Sequence, residues 1–307
     1  MVNNRYVKNI VDKVLENPPK LILPEQEDSR IQEAQGILSS MGFNMADIAR
    51  FDDYTGYKEH IKNKKFTDNW TDRMLEEYIQ VPLVKALIVL DMGYVDCLVA
   101  GANTSTADVI KSSIRIIGLN SHSKWISSSF FLVNPINQKG YTYADCGVIP
   151  EPDSEQLVSI ASQASKMHKL ISNEDPKVAF LSFSTMGSAE HYKVKRMQDA
   201  VKIFGKRYPD ILHEGELQFD AAVNSIVASK KIDNPILKGN ANVFIFPDLS
   251  SGNIAYKITQ YLAGYSAWGP LLQGFKKPVH DLSRGCSVDD IICVSSIAAR
   301  QSLKNKD

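Results

Sequence analysis

The chain has 307 residues, of which 44% are hydrophobic and 23% charged, with 35 basic against 35 acidic side chains and a formal net charge of +0. That length can bury a substantial core without staples. The balanced charge offers no broad basic field for a polyanion, so nucleic acid is not expected as a partner and small anions at local sites are the charged ligands to look for. The four cysteines, Cys97, Cys146, Cys286 and Cys293, form no C-x-x-C pair and sit in separate apolar or turn segments, as reduced thiols do. The six histidines are scattered, so no metal site is expected.

In chain order, residues Met1 to Leu15 mix charged and spaced apolar residues and read as a short amphipathic helix rather than a signal peptide, so a cytoplasmic protein is expected. A strand at Lys20 to Leu23 and a helix at Ser29 to Met41 follow, then the polar stretch Asp52 to Asp72, read as a solvated helix and loop. The longest apolar run, Val81 to Ala102, is broken by Lys85, Asp91 and Asp96 and holds Gly93 and Gly101, so it predicts a helix feeding a buried strand at Val95 to Ala100, not a membrane span. A helix over Thr106 to Ile117 leads into the polar turn Asn120 to Lys124, the best candidate for a domain border.

Beyond that turn, strands are expected at Trp125 to Val133, Val178 to Ser182, Val243 to Phe246 and Gly269 to Gln273. Helices are expected at Ser154 to Ile171, Ala189 to Phe204, Phe219 to Ala228, Asn253 to Leu262 and Ser287 to Leu303. Apolar strands alternating with amphipathic helices predict an α/β fold with mainly parallel sheets. No G-x-G-x-x-G follows the first strand, and G-x-x-x-x-G-K-[ST], G-x-S-x-G and H-E-x-x-H are absent. Dinucleotide dehydrogenase, P-loop nucleotidase, serine hydrolase and zincin readings therefore lose their anchor.

The most informative segment is Pro278 to Arg300, in which a helix with apolar Ile291, Ile292, Val294 and Ile297 begins after the turn Ser283, Arg284, Gly285, Cys286, Ser287. Free backbone N–H groups, the helix dipole and the Arg284 guanidinium make this the place for a phosphate. The same spacing fits a capping box, with Ser287 as N-cap and Asp290 reaching back to it, and a small buried role suits Cys286. A second strand-to-helix loop, Gly101 to Asp108, puts Ser105 and Thr106 at the carboxyl end of a strand, where open α/β sheets bind ligands, with Lys111 one turn on. Capping alone would also account for Ser105 or Thr106, and a solvated face for Lys111. Phe246 to Asn253, followed by Lys257, and Glu214 to Asp220 repeat the pattern. Four polar strand-end loops point to a shared ligand cleft rather than to four unrelated caps.

Several blocks, in order, resemble the phosphate acetyltransferases, or phosphotransacetylases. They are KLILPEQEDSRI at Lys20 to Ile31, YADCGV at Tyr143 to Val148, LSFSTMGSA at Leu181 to Ala189, GELQFDAA at Gly215 to Ala222, ANVFIFPDLSSGNIAYKI at Ala241 to Ile258 and LLQGFKKPVHDLSRGCSVDDI at Leu271 to Ile291. The resemblance spans about residues 18 to 302 and implies two α/β/α domains with mainly parallel sheets and the active cleft between them. Residues 1–120 with 290–307 would form the first domain and 121–289 the second, usually within a homodimer.

The implied reaction moves acetyl between coenzyme A and orthophosphate, acetyl-CoA + phosphate ⇌ acetyl phosphate + CoA, without a metal, a tightly bound cofactor or a covalent acyl-enzyme. By the matching motif Asp290 would take the thiol proton, Arg284 would hold phosphate and Ser283 would stabilise the reacting carbonyl. Ser105, Thr106, Lys111, Ser128, Cys286, Asn253 and Lys257 would make up the substrate-binding set. Two departures stand out: Lys111 replaces a family arginine, and a second family arginine has only Lys64 and Lys65 as its nearest counterparts. A butyryl-type transferase and a non-catalytic acetyl-CoA sensor are the other readings. The retained Ser283, Arg284 and Asp290 speak against the sensor, and the SRGCS turn speaks against the longer-chain enzyme.

Overall fold

The protein is described from a computed structural model covering residues 4–121 and 123–304, so Met1 to Asn3 of the expected N-terminal helix, and His122, lie outside the described residues. The chain divides into two compact units, Met1–Lys124 with Gly274–Asp307, and Trp125–Gln273.

The first unit runs α1 (Arg5–Leu15), β1 (Lys20–Ile22), α2 (Ser29–Ser40), β2 (Asn44–Ala46), α3 (Tyr54–Lys62), α4 (Asp72–Ile79), α5 (Pro82–Asp91), β3 (Cys97–Ala100) and α6 (Thr106–Ile116). The second holds β4 (Ser127–Val133), β5 (Gly140–Ala144), α7 (Ser154–Ser172), β6 (Lys177–Leu181), α8 (Tyr192–Arg207), β7 (Leu212–Leu217), α9 (Phe219–Val223), α10 (Ser225–Lys231), β8 (Val243–Ile245), α11 (Leu249–Tyr261) and β9 (Ser266–Gln273). The chain then re-enters the first unit through β10 (Val279–Asp281) and α12 (Val288–Lys304).

In the first unit the sheet order is β10-β3-β1-β2, and every pairing is parallel. All four residues of β3 are fully buried, as a parallel strand covered on both faces requires. Helices α1, α2 and α12 pack together, with α12 also on β1 and β3, while α5 lies on β3 beside α6. Pro82 at the first position of α5 suits its missing N–H to a helix start, and the apolar run behind it is buried almost throughout. The polar stretch before α5 contains α3, whose Tyr57 and Ile61 are buried, so this stretch contributes to the core as well as to the surface.

In the second unit the order is β7-β6-β8-β5-β4-β9, parallel through β7, β6, β8 and β5 and antiparallel where β4 meets β5 and β9. Strand alternation sorts its residues onto two cores. Val178, Phe180, Val243 and Ile245 face α7 and α8, and Ala179, Leu181 and Phe244 face α9 and Tyr256 of α11. Both sheets are therefore dominated by parallel pairing, with helices supplying the covering layers.

The chain returns to the first unit earlier than the expected residue 290. Val279, His280 and Asp281 pair in register with Leu98, Val99 and Ala100, so the segment carrying the Ser283 turn belongs to the first sheet.

Candidate active site

Three neighbouring strands of the first unit, β10, β3 and β1, run parallel, so their carboxyl ends deliver three loops to one edge of the sheet. The loop after β3 curls so that four successive amides point inward. Gly101 N–H and Ala102 N–H donate to Glu25 Oε2 at 2.9 and 2.8 Å, and Asn103 N–H and Thr104 N–H donate to Oε1 at 2.9 and 2.7 Å. Glu25 comes from the loop after β1 and is only 8% exposed. Such a row of amides is an anion-binding nest, and here a carboxylate of the chain itself fills it. The first four amides of the expected anion site at Gly101 to Asp108 are therefore taken from within.

Arg30, at the start of α2, ties the β3 loop to the loop after β10. Its guanidinium donates to the carbonyl oxygens of Arg284, Cys286 and Ala102 and pairs with the Asp28 carboxylate. Asp28 in turn caps α2 by accepting from Arg30 N–H, and the bonded guanidinium draws its pKa down to about 2.

The third link is Asp281, the last residue of β10. It is fully buried and its Oδ2 accepts from Thr106 Oγ1 at 2.6 Å, while Oδ1 has no hydrogen-bond partner among the described residues and lies against Gly101. Burial pushes this carboxyl up to about 7, with the Thr106 hydrogen bond opposing and the nearby Glu25 reinforcing the shift. Gly101 has φ +109°, and a Cβ there would collide with Asp281 Oδ1 and the Leu282 backbone, so the close approach of β3 to β10 requires glycine.

On this frame stand the residues singled out by sequence. Ser283 and Arg284 are exposed, and no hydrogen bond or ion pair to another described residue engages either side chain. Ser287 and Asp290 form the reciprocal cap: Ser287 N–H and Oγ–H donate to Asp290 Oδ2 at 2.9 and 2.8 Å, and Asp290 N–H donates to Ser287 Oγ at 3.2 Å. Cys286 is buried, its Sγ 3.7 Å from Arg30, and burial pushes its thiol up to about 11. A thiol so held is a weak nucleophile at neutral pH. Ser105 caps α6 in partnership with Asp108, Thr106 is held by Asp281, and Lys111 is exposed one turn along. Lys64, one of the two counterparts of the second family arginine, is spent on Asp91 and the Ile116 carbonyl; Lys65 is exposed.

The remaining three lie in the second unit. Ser128 is fully buried and donates its hydroxyl to Asp145, whose carboxylate also accepts from the amides of Ser128, Gly147, Val148 and Ile149. Burial raises the Asp145 pKa against those hydrogen bonds. Asn253, half-buried on α11, donates to the Cys146 carbonyl at 3.0 Å, so Ser128 and Asn253 secure the same turn after β5. Lys257 is exposed, beside the Tyr256 ring. In the same unit Glu216 is almost fully buried and accepts from Ser184 Oγ and Gly187 N–H at 2.7 Å each, which holds the loop LSFSTMGSA after β6. Burial opposes ionisation of Glu216, but these bonds outweigh it and lower its pKa.

Sequence reasoning passed over Glu25, Arg30 and Asp281. Their signal was an acid or arginine beside an apolar strand end, and their partners are distant in the chain.

Parallel strands whose carboxyl-end loops present an exposed arginine, an exposed hydroxyl and a capped carboxylate define a class, the parallel-sheet α/β enzymes. The family model of the phosphate acetyl/butaryl transferases matches residues 7–299. A phosphate acetyltransferase from Paracoccus denitrificans is 37% identical over 302 residues, covering 92% of this chain and 94% of that protein. A phosphotransacetylase structure from Streptococcus pyogenes matches with a TM-score of 0.89 at 31% identity, covering 99% of this chain and 100% of that one. One from Staphylococcus aureus matches at 0.82 and 33%, covering 97% and 98%. The chain belongs to the phosphate acetyl/butaryl transferase family and is an acyltransferase.

Proposed function

We propose that this chain is a phosphate acetyltransferase that moves acetyl between coenzyme A and orthophosphate by direct attack of the CoA thiolate on acetyl phosphate in a ternary complex. A free thiol with pKa near ~8.5 is mostly protonated at neutral pH, so a positioned carboxylate speeds formation of the nucleophile. Asp290 fills that role. Its Oδ2 is fixed by Ser287, and Oδ1 remains to take the proton. Arg284 holds the departing phosphate through a charge-assisted fork, and Ser283 donates to the carbonyl oxygen as negative charge develops there. The new C–S bond forms as the C–O bond to phosphate breaks, and phosphate leaves with its electron pair.

The observation that carries this reading is the pair of unengaged side chains, Ser283 and Arg284, in the turn that leads into the helix whose first turn holds the fixed carboxylate of Asp290. The raised Cys286 thiol supports direct transfer over a thioester on the enzyme. With the amides of Gly101 to Thr104 occupied by Glu25 and the hydroxyls of Ser105 and Thr106 donated to Asp108 and Asp281, Ser105 and Thr106 serve the site by holding the start of α6, and the exposed Lys111 is left to meet substrate. In the second unit Ser128 and Asn253 shape the turn at Asp145, and Lys257 is exposed beside the Tyr256 ring. We include in the proposal a cytoplasmic homodimer with no tightly bound cofactor. The exposed apolar stripe Ile254, Ile258, Tyr261 and Leu262 along α11 and its C-cap offers a surface for self-association, to be tested by light scattering.

The deciding experiment mixes purified protein with acetyl phosphate and CoA and follows thioester formation, with butyryl phosphate in parallel. Acetyl-CoA formation that is lost in Asp290→Asn is the expected result. Turnover with butyryl phosphate alone would replace it by the longer-chain reading.

A further inference from the structure

Arg30 spends its guanidinium donors within the protein. A guanidinium has five N–H groups in a fixed plane. Here Nε–H goes to Asp28 Oδ1 at 3.0 Å, and one Nη2 hydrogen goes to Asp28 Oδ2 at 2.7 Å and the other to the Ala102 carbonyl at 3.2 Å. Nη1 donates to the carbonyls of Arg284 at 2.7 Å and Cys286 at 3.0 Å. With every donor used inside the protein, Arg30 has none left for a substrate phosphate. Two of the carbonyls belong to the residues on either side of Gly285, in the very turn that presents Ser283 and Arg284, which is closed by the hydrogen bond from Cys286 N–H to the Ser283 carbonyl at 2.9 Å. The third carbonyl, Ala102, lies within the Glu25 nest.

From this geometry we infer that Arg30 is a positioning residue of the acyl-transfer site: it holds the backbone of Arg284 and Cys286 so that the Ser283 hydroxyl and the Arg284 guanidinium stand where acetyl phosphate is bound. The inference rests on the functional reading above and deepens it. Lysine cannot replace the arginine in this role, because one ammonium cannot span three carbonyls and a carboxylate in the plane a guanidinium covers. Asp28 acts with it, since the bidentate pair fixes the guanidinium plane and the same carboxylate caps α2.

The test assays the full chain first, with acetyl phosphate and CoA. If the parent enzyme is silent, the functional reading fails before Arg30 is reached; an active parent lets the inference stand or fall by itself. Arg30→Gln is expected to lower kcat/KM for acetyl phosphate on the order of 10²-fold, the scale of a catalytic group moved by about 1 Å. Its thermal midpoint should stay within a few degrees of the parent, and added guanidinium ion should restore part of the rate to Arg30→Ala by re-occupying the vacated site. If Arg30→Gln does not fold, Arg30→Lys carries the same comparison. A kcat/KM within about three-fold of the parent, or an activity loss that follows the folded fraction and does not respond to guanidinium, overturns the inference.

Discussion

Asp290 has two oxygens in two different situations. Oδ2 is held by the backbone and hydroxyl of Ser287, and Oδ1 has no hydrogen bond to a described residue. An amide can keep the cap with its carbonyl oxygen while losing the basic site. Asp290→Asn should therefore leave thermal stability within about 1 kcal/mol of the parent while kcat falls on the order of 10² or more, the range for loss of a general base. Steady-state kinetics beside a melting curve separate the two effects. Arg284→Lys should raise KM for acetyl phosphate, because a point charge replaces a planar fork; unchanged constants for phosphate and acetyl phosphate would remove Arg284 from anion binding. Cys286→Ala should keep turnover within about ten-fold of the parent, as the thiol is pushed up to about 11 by burial and is poorly suited to attack. At this scale the Ser287–Asp290 pair was legible from spacing, because both partners lie within one helical turn. Glu25 and Arg30 were not, since they bind backbone atoms 76 to 79 and 254 to 256 residues away, and no local pattern announces a backbone partner.

The elements follow the sequence where an apolar run is continuous and depart from it where polar residues or glycine interrupt the strand. The expected strands that became β1, β3, β4, β6, β8 and β9 are apolar runs bounded by polar turns. By contrast β10 is Val-His-Asp, whose polar residues are buried by the sheet edge and not by their own hydropathy. Helix α8 starts at Tyr192 rather than at Ala189 because His191 accepts from Lys193 N–H as its cap. The stretch expected as one helix at Phe219 to Ala228 is two, α9 and α10, since Asn224 leaves helical geometry and caps the second. The β3-to-α6 loop carries the clearest prediction at this scale. Glu25→Gln keeps the length but offers one carbonyl oxygen and an NH₂ group to four donors. Two amides are then left facing a donor, and the variant should unfold at lower denaturant, by on the order of 1–3 kcal/mol. Equilibrium urea titration measures it, and an unchanged midpoint would remove Glu25 from the support of this loop.

Across the whole molecule two acids around this edge, the buried Asp281 and the partly buried Asp28, set opposite trends with pH. Asp281, pushed up to about 7 by burial, binds its proton more tightly folded than unfolded. Its contribution is therefore complete below the ordinary carboxylate range and is lost as pH rises through about 7. Asp28, drawn down to about 2 by Arg30, contributes above that range and loses its effect as pH falls toward 2. Asp281→Asn should flatten the acid-to-neutral slope, so that the variant gains on the parent between the ordinary carboxylate range and about pH 7 by on the order of a few kcal/mol. Urea unfolding at several pH values checks this; parallel curves for the two proteins would refute it.

The late arrival of β10 and α12 has a consequence for biosynthesis. As the polypeptide emerges, β3 has its β1 neighbour early, but its other edge and the α12 cover wait until Trp125–Gln273 has been translated. The second unit is contiguous and needs no residue beyond Gln273, while the first remains an unfinished sheet with an apolar face in need of protection until its last segment has emerged. A released chain ending at residue 273 should thus carry a protease-resistant second unit joined to a protease-sensitive amino-terminal segment, and the loop after β10 joins those after β1 and β3 only once the last segment of the chain is present.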